Sequence, residues 1–476
     1  MVFSSAIFLF AFLPVIFCLY YILPSSNSVK NGLLIIASLL FYAFGEPVYV
    51  FLMIGSTAVN YIFGRMLGDR DRKSARWKNG FIRRMILILA VILNIATLGV
   101  FKYAGFIVVS VNQIFHTGIP VPAIALPVGI SFFTFQALSY VIDVYREEGA
   151  EQRSFFKLLL YISFFPQLIA GPIIRYHDIS EQIEKRPADL EKIVLGMQRF
   201  TKGLFKKLIL ANSLGGMADK VFLLEIANYN SLVAWLGAIS YTLQIYYDFS
   251  GYSDMAIGLA SMFGFQFQEN FEHPYSACSI KEFWKRWHIS LSAWFKEYVY
   301  IPMGGNRRGK WKTEYNKMVV FILTGIWHGA SWTFIIWGLV HGIANVLEDT
   351  ILPVQKCRSK VVCNVYTWLV VTTAFVMFRA DTVMAGLSML KAMFTDFAMD
   401  MSSVSFLRES LNLYNICILG TAFLFSYPVS RRVGEKLGHM GKGYQFVLSA
   451  GSLFLLLICM LNLASTSYNP FIYFRF

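Results

Sequence analysis

The chain is predicted to be an all-helical, polytopic membrane protein, because its composition is strongly apolar and its apolar runs are long. Hydrophobic residues make up 56% and charged residues only 15% of the 476 residues, and the mean hydropathy is +0.54. These values lie outside the range of ordinary soluble domains. A helix needs about 20 mostly apolar residues to cross a bilayer, and many runs reach that length.

Apolar runs recur along the whole chain and predict one membrane domain over residues 1–476. The run 31–67 is interrupted by Gly45-Glu46-Pro47 and is long enough for two helices. We expect roughly eleven membrane-embedded helices, some of them broken or re-entrant. The runs are 2–23, 31–67, 85–115, 122–145, 154–174, 192–224, 230–264, 316–347, 361–378, 409–428 and 443–466.

The net charge of +14 is concentrated in a few connectors, 68–84, 304–317, 355–360 and 430–443. Short loops rich in Lys and Arg normally stay cytoplasmic and touch anionic lipid headgroups. We expect membrane lipids and no nucleic acid as partners, since no binding fold or ordered basic-aromatic surface accompanies the charge.

Cofactor and metal motifs are not found in the sequence. The six cysteines show no C-x-x-C pair and no metal-ligand spacing with histidine. The run GGNRRGK (304–310) is followed by Trp311 and therefore lacks the Ser or Thr of a phosphate-binding loop. We predict no metal site and no bound cofactor.

Two histidines lie in apolar surroundings beside tryptophans, His328 in FILTGIWHGASWTFIIWGL and His288 in FWKRWHISLSAWFKEYVYIPMGG. An ionisable side chain at membrane depth is costly and indicates a functional site, although a packing role is an alternative for each. On one helix, Trp284 and Ser292 would share the face of His288. Residues 241–347 therefore form a motif-rich candidate core.

The neighbours of His328 are small or aromatic. On a helix, Ser331 and Trp332 would share its face, and Gly325-x-x-x-Gly329 would allow another helix to approach closely. Trp327 and Ser331 are therefore candidate cavity-lining residues.

Asp248 is a further candidate, in the run YTLQIYYDFSGYSDMAIGLA. Asp248 could cap the helix that follows it. Alternatively, a helix broken at Gly251 could line a cavity and offer Asp248 to a substrate.

Three consecutive motifs, YYDFSGYSDMAIGLA, NFEHPYSACSIKEFWKRWHISLSAWFKEYVYIPMGGNRRG and TGIWHGASWTFIIWG, resemble the membrane-bound O-acyltransferase (MBOAT) family. The branch that they resemble contains the bacterial alginate O-acetyltransferases. Segments 126–146 and 164–176 and the end NPFIYFRF are similar to that branch as well. Departures are mild: Lys296-Glu297 stands where Arg-Asp is usual, and Met303 where Leu is usual.

The resemblance implies transfer of an acyl group to a hydroxyl, with His328 as the catalytic residue and His288 as the second motif histidine. The expected donor is acetyl-CoA or another cytoplasmic acyl thioester. The expected acceptor is an exported, alginate-like polysaccharide, reached directly or through extracytoplasmic partner proteins. The resemblance also implies a multi-pass protein of the bacterial cytoplasmic membrane, with helices around a funnel that meets at His328.

The residues suit this chemistry. A neutral imidazole at His328 can take the proton of the acceptor hydroxyl, which is worth about 10²–10⁴-fold in rate. His288 would orient the acceptor, polarise the thioester carbonyl or share the proton relay. Asp248 and Asn306 are weaker candidates, for cavity lining and donor contact, and the connector 304–317 could attract an anionic donor.

Other functions fit the same sequence. An enzyme of the same fold could move D-alanine to teichoic acid, or an acetyl group to peptidoglycan or cellulose. A lipid-acylating enzyme is a further alternative. A transporter with a histidine proton relay is an alternative of a different class, because broken helices and polar groups at the bilayer midplane would serve it equally well.

Overall fold

A computed structural model describes residues 1–24, 26–68, 80–186, 189–225, 230–352, 354, 357–429, 433–435, 441–466 and 468–472. Every regular element within these ranges is helical, which confirms the predicted fold class. The basic connectors 68–84 and 430–443 lie largely outside the described residues.

Four described helices are long and apolar enough to cross a membrane, by length and composition. They are Tyr49–Leu67, Gly80–Phe115, Lys360–Arg379 and Gly443–Ser465. Shorter apolar helices accompany them at Phe8–Ile22, Asn27–Ala43, Val383–Thr395 and Leu413–Ser426. The chain is a multi-pass helical membrane protein.

The chain divides into two compact units, and the first contains residues 1–200 and 255–268. Turns of π-helix occur at Phe8–Phe12 and Gly99–Tyr103. Its α-helices are α1 (Leu13–Ile22), α2 (Asn27–Ala43), α3 (Tyr49–Leu67), α4 (Gly80–Leu98), α5 (Ala104–Phe115), α6 (Ile130–Arg146), α7 (Phe155–Ser163), α8 (Phe165–Leu168), α9 (Tyr176–Glu184) and most of α10 (Leu190–Phe205).

Helices α2 and α3 divide the apolar run 31–67 as predicted. The chain leaves the helix after Ala43 and resumes at Tyr49, because Pro47 disfavours the helical conformation of the residue before it. Within the first unit, α3 and α4 are joined by a buried pair of amides. Asn94 donates to the Oδ1 of Asn60 at 2.8 Å, and Asn60 donates back at 3.1 Å. Such a pair satisfies polar groups between membrane helices.

The second unit contains residues 201–254 and 269–476, and it holds both motif histidines. Turns of π-helix occur at Lys206–Ala211 and Lys296–Tyr300. Its α-helices are α11 (Asn212–Phe222), the first part of α12 (Ser231–Met262), α13 (Ile280–Arg286), α14 (Ile289–Phe295), α15 (Lys310–His328), α16 (Trp332–Thr350), α17 (Lys360–Arg379), α18 (Val383–Thr395), α19 (Met401–Ser410), α20 (Leu413–Ser426) and α21 (Lys442–Ser465).

Helix α12 runs unbroken through Gly251, so the expected break there is wrong. Gly251 serves close packing instead: a Cβ at this position would lie 2.8 Å from the carbonyl oxygen of Gly203 in α10. Asp248 lies inside the helix and does not cap it. Its carboxylate forms a buried ion pair with Lys207 at 2.6 Å and accepts a hydrogen bond from the backbone N–H of Ile472 at 2.9 Å.

Helices α15 and α16 form a tight antiparallel pair, as Gly325 predicts, although Gly329 lies beyond the end of α15 and takes no part in a helix–helix contact of the expected motif. A Cβ on Gly325 would collide with the carbonyl of Phe334, and one on Gly338 with the carbonyl of Phe321. Glycine at both positions lets the two backbones approach closely. This pair carries His328 at the end of its first helix.

Candidate active site

His328 is the last residue of α15, and the chain turns sharply after it. Gly329 is extended (φ −168°, ψ 157°), and Ser331 caps α16 by accepting a hydrogen bond from the backbone N–H of Thr333 at 3.3 Å. Ser331 and Trp332 therefore do not continue the helical face of His328, and that expectation is wrong. The turn moves Ser331 into a cavity wall instead.

Aromatic rings surround the buried imidazole of His328. The ring centroids of Trp327 and Trp337 lie 5.0 Å from that of His328, and the centroid of Phe378 lies at 5.2 Å. The Trp337 and His328 rings are almost perpendicular, at 88°. An apolar enclosure of this kind favours the neutral form of a histidine, which is the form that can accept a proton.

His288 lies between α13 and α14, in the left-handed region of backbone conformation (φ 45°, ψ 54°). The expected single helix carrying Trp284, His288 and Ser292 on one face is therefore wrong, because the chain breaks at His288. Asn270 holds the break: its backbone carbonyl accepts from Ile289 N–H at 2.9 Å, and its side chain accepts from Ser290 N–H at 3.1 Å. Left-handed non-glycine residues are uncommon and concentrate at functional sites.

The imidazole of His288 is buried in the same aromatic cluster as His328. Its centroid lies 6.1 Å from Trp327, which also contacts His328, and 6.0 Å from Phe271. Burial lowers the pKa of His288 to about 3, so this ring is neutral near pH 7. Within the described part of the chain, its Nδ1 has no hydrogen-bond partner. The structure thus brings the two predicted histidines into contact with one tryptophan, Trp327.

A cavity of about 230 Å³ contains two of the predicted lining residues, Trp284 and Ser292. We call it the lysine cavity. Thr324, one turn before His328, lies in its wall. The full lining is Lys281, Trp284, Leu291, Ser292, Phe295, Lys296, Tyr300, Lys317, Val320, Phe321, Thr324 and Asn345.

The charge of the lysine cavity is positive. Lys281 and Lys317 both bind the carboxylate of Asp349, Lys281 at 3.0 Å, and Lys317 also binds Glu314 at 3.1 Å. Lys296 is exposed and has no acidic partner among the described residues. The rim therefore presents a positive charge above apolar walls, which suits a ligand with an anionic end and an apolar arm.

A second cavity, of about 180 Å³, is more polar, and we call it the polar cavity. Phe378 connects it to the cluster of histidine and tryptophan rings, because its ring lines the cavity and packs on His328. The buried Oε1 of Gln244 has no hydrogen-bond partner within the described residues. The lining is Tyr241, Gln244, Ser331, Thr333, Phe334, Phe378, Arg379, Ala380, Asp381, Pro470 and Ile472.

Trp327, which was predicted to line a cavity, and the two weaker candidates Asp248 and Asn306 lie outside both linings. Asp248 affects the polar cavity only indirectly. Its carboxylate accepts a hydrogen bond from the backbone N–H of Ile472, and Ile472 lines that cavity. Asn306 is exposed in the turn that precedes α15. Its neighbour in that turn, Gly305, accepts a hydrogen bond from the buried Asn316 at 2.9 Å.

Several residues of the site were not predicted from the sequence, among them Asn270, Gln244, Trp337, Phe378 and Arg379. Gln244 carries a usable signal, since it is an amide inside the apolar run 230–264. Phe378 and Trp337 carry none, because aromatic residues occur throughout this chain.

The helical membrane fold and the buried histidine cluster are compatible with a membrane acyltransferase, and the family comparison assigns the chain to that class. The profile of the MBOAT, membrane-bound O-acyltransferase family, matches residues 128–380. The chain belongs to this family, and it is an O-acyltransferase.

Curated relatives extend over the whole chain. The probable alginate O-acetylase AlgI of Pseudomonas putida is 39% identical, with 100% of both chains covered. The peptidoglycan O-acetyltransferase of Helicobacter pylori is 33% identical over 100% of this chain and 98% of its own. The teichoic acid D-alanyltransferase of Bacillus subtilis is 31% identical over 45% of this chain and 57% of its own.

Proposed function

We propose that this enzyme moves an acetyl group from a cytoplasmic thioester, acetyl-CoA, towards hydroxyls of an exported alginate-like polysaccharide, with His328 as general base. The observation that carries the proposal is the position of His328. It shares Trp327 with His288, and it packs on Phe378, which lines the polar cavity. The proposal includes the bacterial cytoplasmic membrane as the location.

The reaction assigns a role to each histidine. His328 takes the proton of the acceptor hydroxyl while the hydroxyl oxygen attacks the thioester carbonyl carbon. The carbon–sulfur bond then breaks, and the thiolate leaves and takes up a proton. His288, neutral and with an available Nδ1, suits a hydrogen bond to the carbonyl oxygen, where negative charge develops.

The lysine cavity suits the donor. The diphosphate of a coenzyme A thioester is anionic and its pantetheine arm is mostly apolar, which corresponds to a lysine rim above aromatic walls. Trp284 and Phe321 supply two of those walls. The polar cavity suits the acceptor side, because Gln244 and Ser331 offer hydrogen-bonding groups to a hydroxyl. Extracytoplasmic partner proteins would relay the acetyl group from there.

Peptidoglycan is a second candidate acceptor. The observation that favours it is the full-length similarity to the peptidoglycan O-acetyltransferase of Helicobacter pylori. The alternative of a proton-coupled transporter was based in part on a helix broken at Gly251. Because α12 is continuous through Gly251, that argument no longer applies.

The test is transfer of label from radioactive acetyl-CoA in inverted membrane vesicles that contain the enzyme and its envelope polymers. We expect label in polysaccharide that mild alkali releases as acetate, and loss of this label with His328→Ala. Label in peptidoglycan would select the second candidate. If wild-type vesicles transferred no label from acetyl-CoA to any polymer, the proposed donor would be wrong.

A further inference from the structure

A third histidine, His341, is fully buried in α16 close to the site, and the proposed reaction gives it no role. Its ring stacks on Phe283 with a centroid distance of 6.0 Å and an angle of 8°. It also contacts the rings of Trp284 at 5.3 Å and Trp337 at 5.1 Å. A fully buried imidazole is costly unless its polar atoms are used.

One ring nitrogen of His341 forms a hydrogen bond with Trp284, a residue that lines the lysine cavity. The indole Nε1–H of Trp284 donates to the Nδ1 of His341 at 3.3 Å. Because Nδ1 accepts, His341 is a neutral tautomer with its proton on Nε2. The hydrogen bond fixes the rotation of the Trp284 indole, which lines the lysine cavity.

His341 is linked to His328, the proposed general base, through one side chain. The ring centroid of Trp337 lies 5.1 Å from that of His341 and 5.0 Å from that of His328. Trp337 also packs on Phe378 at 5.0 Å, which lines the polar cavity. A change in the His341 ring therefore reaches His328 through a single side chain.

The short helix α13 is fixed to α16 at its start and near its end. Further along α16, Glu348 accepts hydrogen bonds from the backbone N–H groups of Ile280, at 2.6 Å, and Lys281, at 3.1 Å. These bonds hold the start of α13, while His341 holds Trp284 near its end. The α13–α16 contact thus sets the position of the indole relative to His328.

We propose that His341 is a positioning residue for acyl transfer, which holds Trp284 through its Nδ1 and supports Trp337 against His328. The proposal rests on the proposed function. It assigns His341 no contact with either substrate. Its hydrogen bond to Trp284 keeps the pantetheine arm of the proposed donor in position relative to His328. A misplacement of about 1 Å in such a site can cost about 10²-fold in rate.

The test compares three substitutions at His341. His341→Asn keeps an acceptor near the position of Nδ1, whereas His341→Gln extends its carboxamide towards the position of Nε2, and His341→Leu removes both. We expect kcat for acetyl-CoA consumption, measured in inverted membrane vesicles that contain the acceptor polymers, to fall about 10- to 100-fold with His341→Leu and His341→Gln. With Asn, we expect kcat to return to within about threefold of wild type. Thermal unfolding in detergent and the amount in the membrane are measured for each variant.

Trp284→Phe tests the same bond from the donor side and keeps an aromatic ring, so it addresses the case in which His341→Leu does not fold. We expect its loss in kcat to match that of His341→Leu, and the double variant to be no slower than either single one. Equal decreases in kcat with His341→Asn, His341→Gln and His341→Leu would overturn the proposal. A double variant whose decrease in kcat is the product of the two single decreases would overturn it as well.

Acetyl-ester content of cells carrying the same variants separates this proposal from the donor assignment. If wild-type vesicles that contain the acceptor polymers consume no acetyl-CoA, but cellular esters still decrease in the order wild type, His341→Asn, His341→Leu, then the donor is wrong and the role of His341 stands. Unchanged esters in all His341 variants at equal membrane levels would contradict that role.

Discussion

The lysine cavity and the polar cavity lie beside the same cluster of histidine and tryptophan rings. They differ in charge and in how widely their lining residues are spread along the sequence. The lysine cavity is built from residues 281–345 and carries lysines above apolar walls. The polar cavity gathers residues from positions 241 to 472. The two linings share no residue. The proposed donor and acceptor would therefore occupy separate sites.

The two cavities also differ in how their walls are held. Trp284 is fixed locally, by His341 and by the chain around His288. The Ile472 wall depends on a distant ion pair, Lys207–Asp248, in which both side chains are almost fully buried. Substitutions should accordingly affect donor use on one side and stability on the other.

The largest effect is expected at His328, the proposed general base. His328→Ala and His328→Gln remove this imidazole, and transfer should fall by about 10²–10⁴-fold. The measurement is acetyl-ester content of exported polysaccharide at matched membrane expression. His116→Ala, at an exposed position, is the control and should be unchanged.

A large loss of stability is expected when the polar cavity loses its distant support. Asp248→Ala leaves Lys207 buried without its carboxylate, which typically costs about 3–5 kcal/mol. The matched control is Asp254→Ala, because the Asp254–Lys206 pair is partly exposed and should cost about 0–1 kcal/mol. Thermal unfolding of the two variants in detergent makes the comparison. Equal unfolding temperatures would contradict the structural role of the buried pair.

A smaller effect is expected at the rim of the lysine cavity. Lys296→Glu replaces the positive charge of the one rim lysine that has no acidic partner in the described chain by a negative charge. The KM for acetyl-CoA should rise about tenfold at low salt. The rise should be smaller at high salt, because salt screens exposed charges. The value of kcat should change little. Lys285→Glu, also exposed but outside the lining, is the matched control. A similar rise in both variants would mean that net charge, not the cavity, attracts the donor.

The smallest effect is expected at Ser331, which caps α16 and lines the polar cavity. Ser331→Ala removes the cap and should lower stability by about 1 kcal/mol. Ser331→Thr keeps a hydroxyl and should retain most of that stability. Chemical denaturation of the detergent-solubilised variants measures the difference, and a more stable Ala variant would argue against the cap.

Two features of the fold could be predicted from the sequence. The length of the apolar runs predicted the helical class, and Pro47 marked the division of the run 31–67.

Of the two cavities, the lysine cavity was the more predictable. Histidines in apolar surroundings identified His288 and His328, and Trp284 and Ser292 were named from their spacing to His288. Their placement was nevertheless wrong in detail, because helical periodicity assumes a continuous helix and Asn270 stabilises a break at His288.

The polar cavity was hardly predictable, because its residues are distant in sequence. Periodicity assigns faces within one helix and gives no information on which helices meet. The glycine at 251 suggested a break in α12, whereas it permits close approach of Gly203. The pairing of Asp248 with Lys207, and of both with the segment before Ile472, depends on tertiary packing alone.

The most direct measurement is a cryo-electron microscopy structure of the enzyme with an acetyl-CoA analogue in which a methylene group replaces the thioester sulfur. We expect the phosphates at the lysine rim beside Lys296. We expect the acetyl carbonyl carbon next to the histidine–tryptophan cluster, with the carbonyl oxygen within hydrogen-bond reach of His288, about 2.6–3.2 Å, and room for a hydroxyl beside His328. An analogue bound in the polar cavity, or an acetyl group remote from both histidines, would contradict the proposed mechanism.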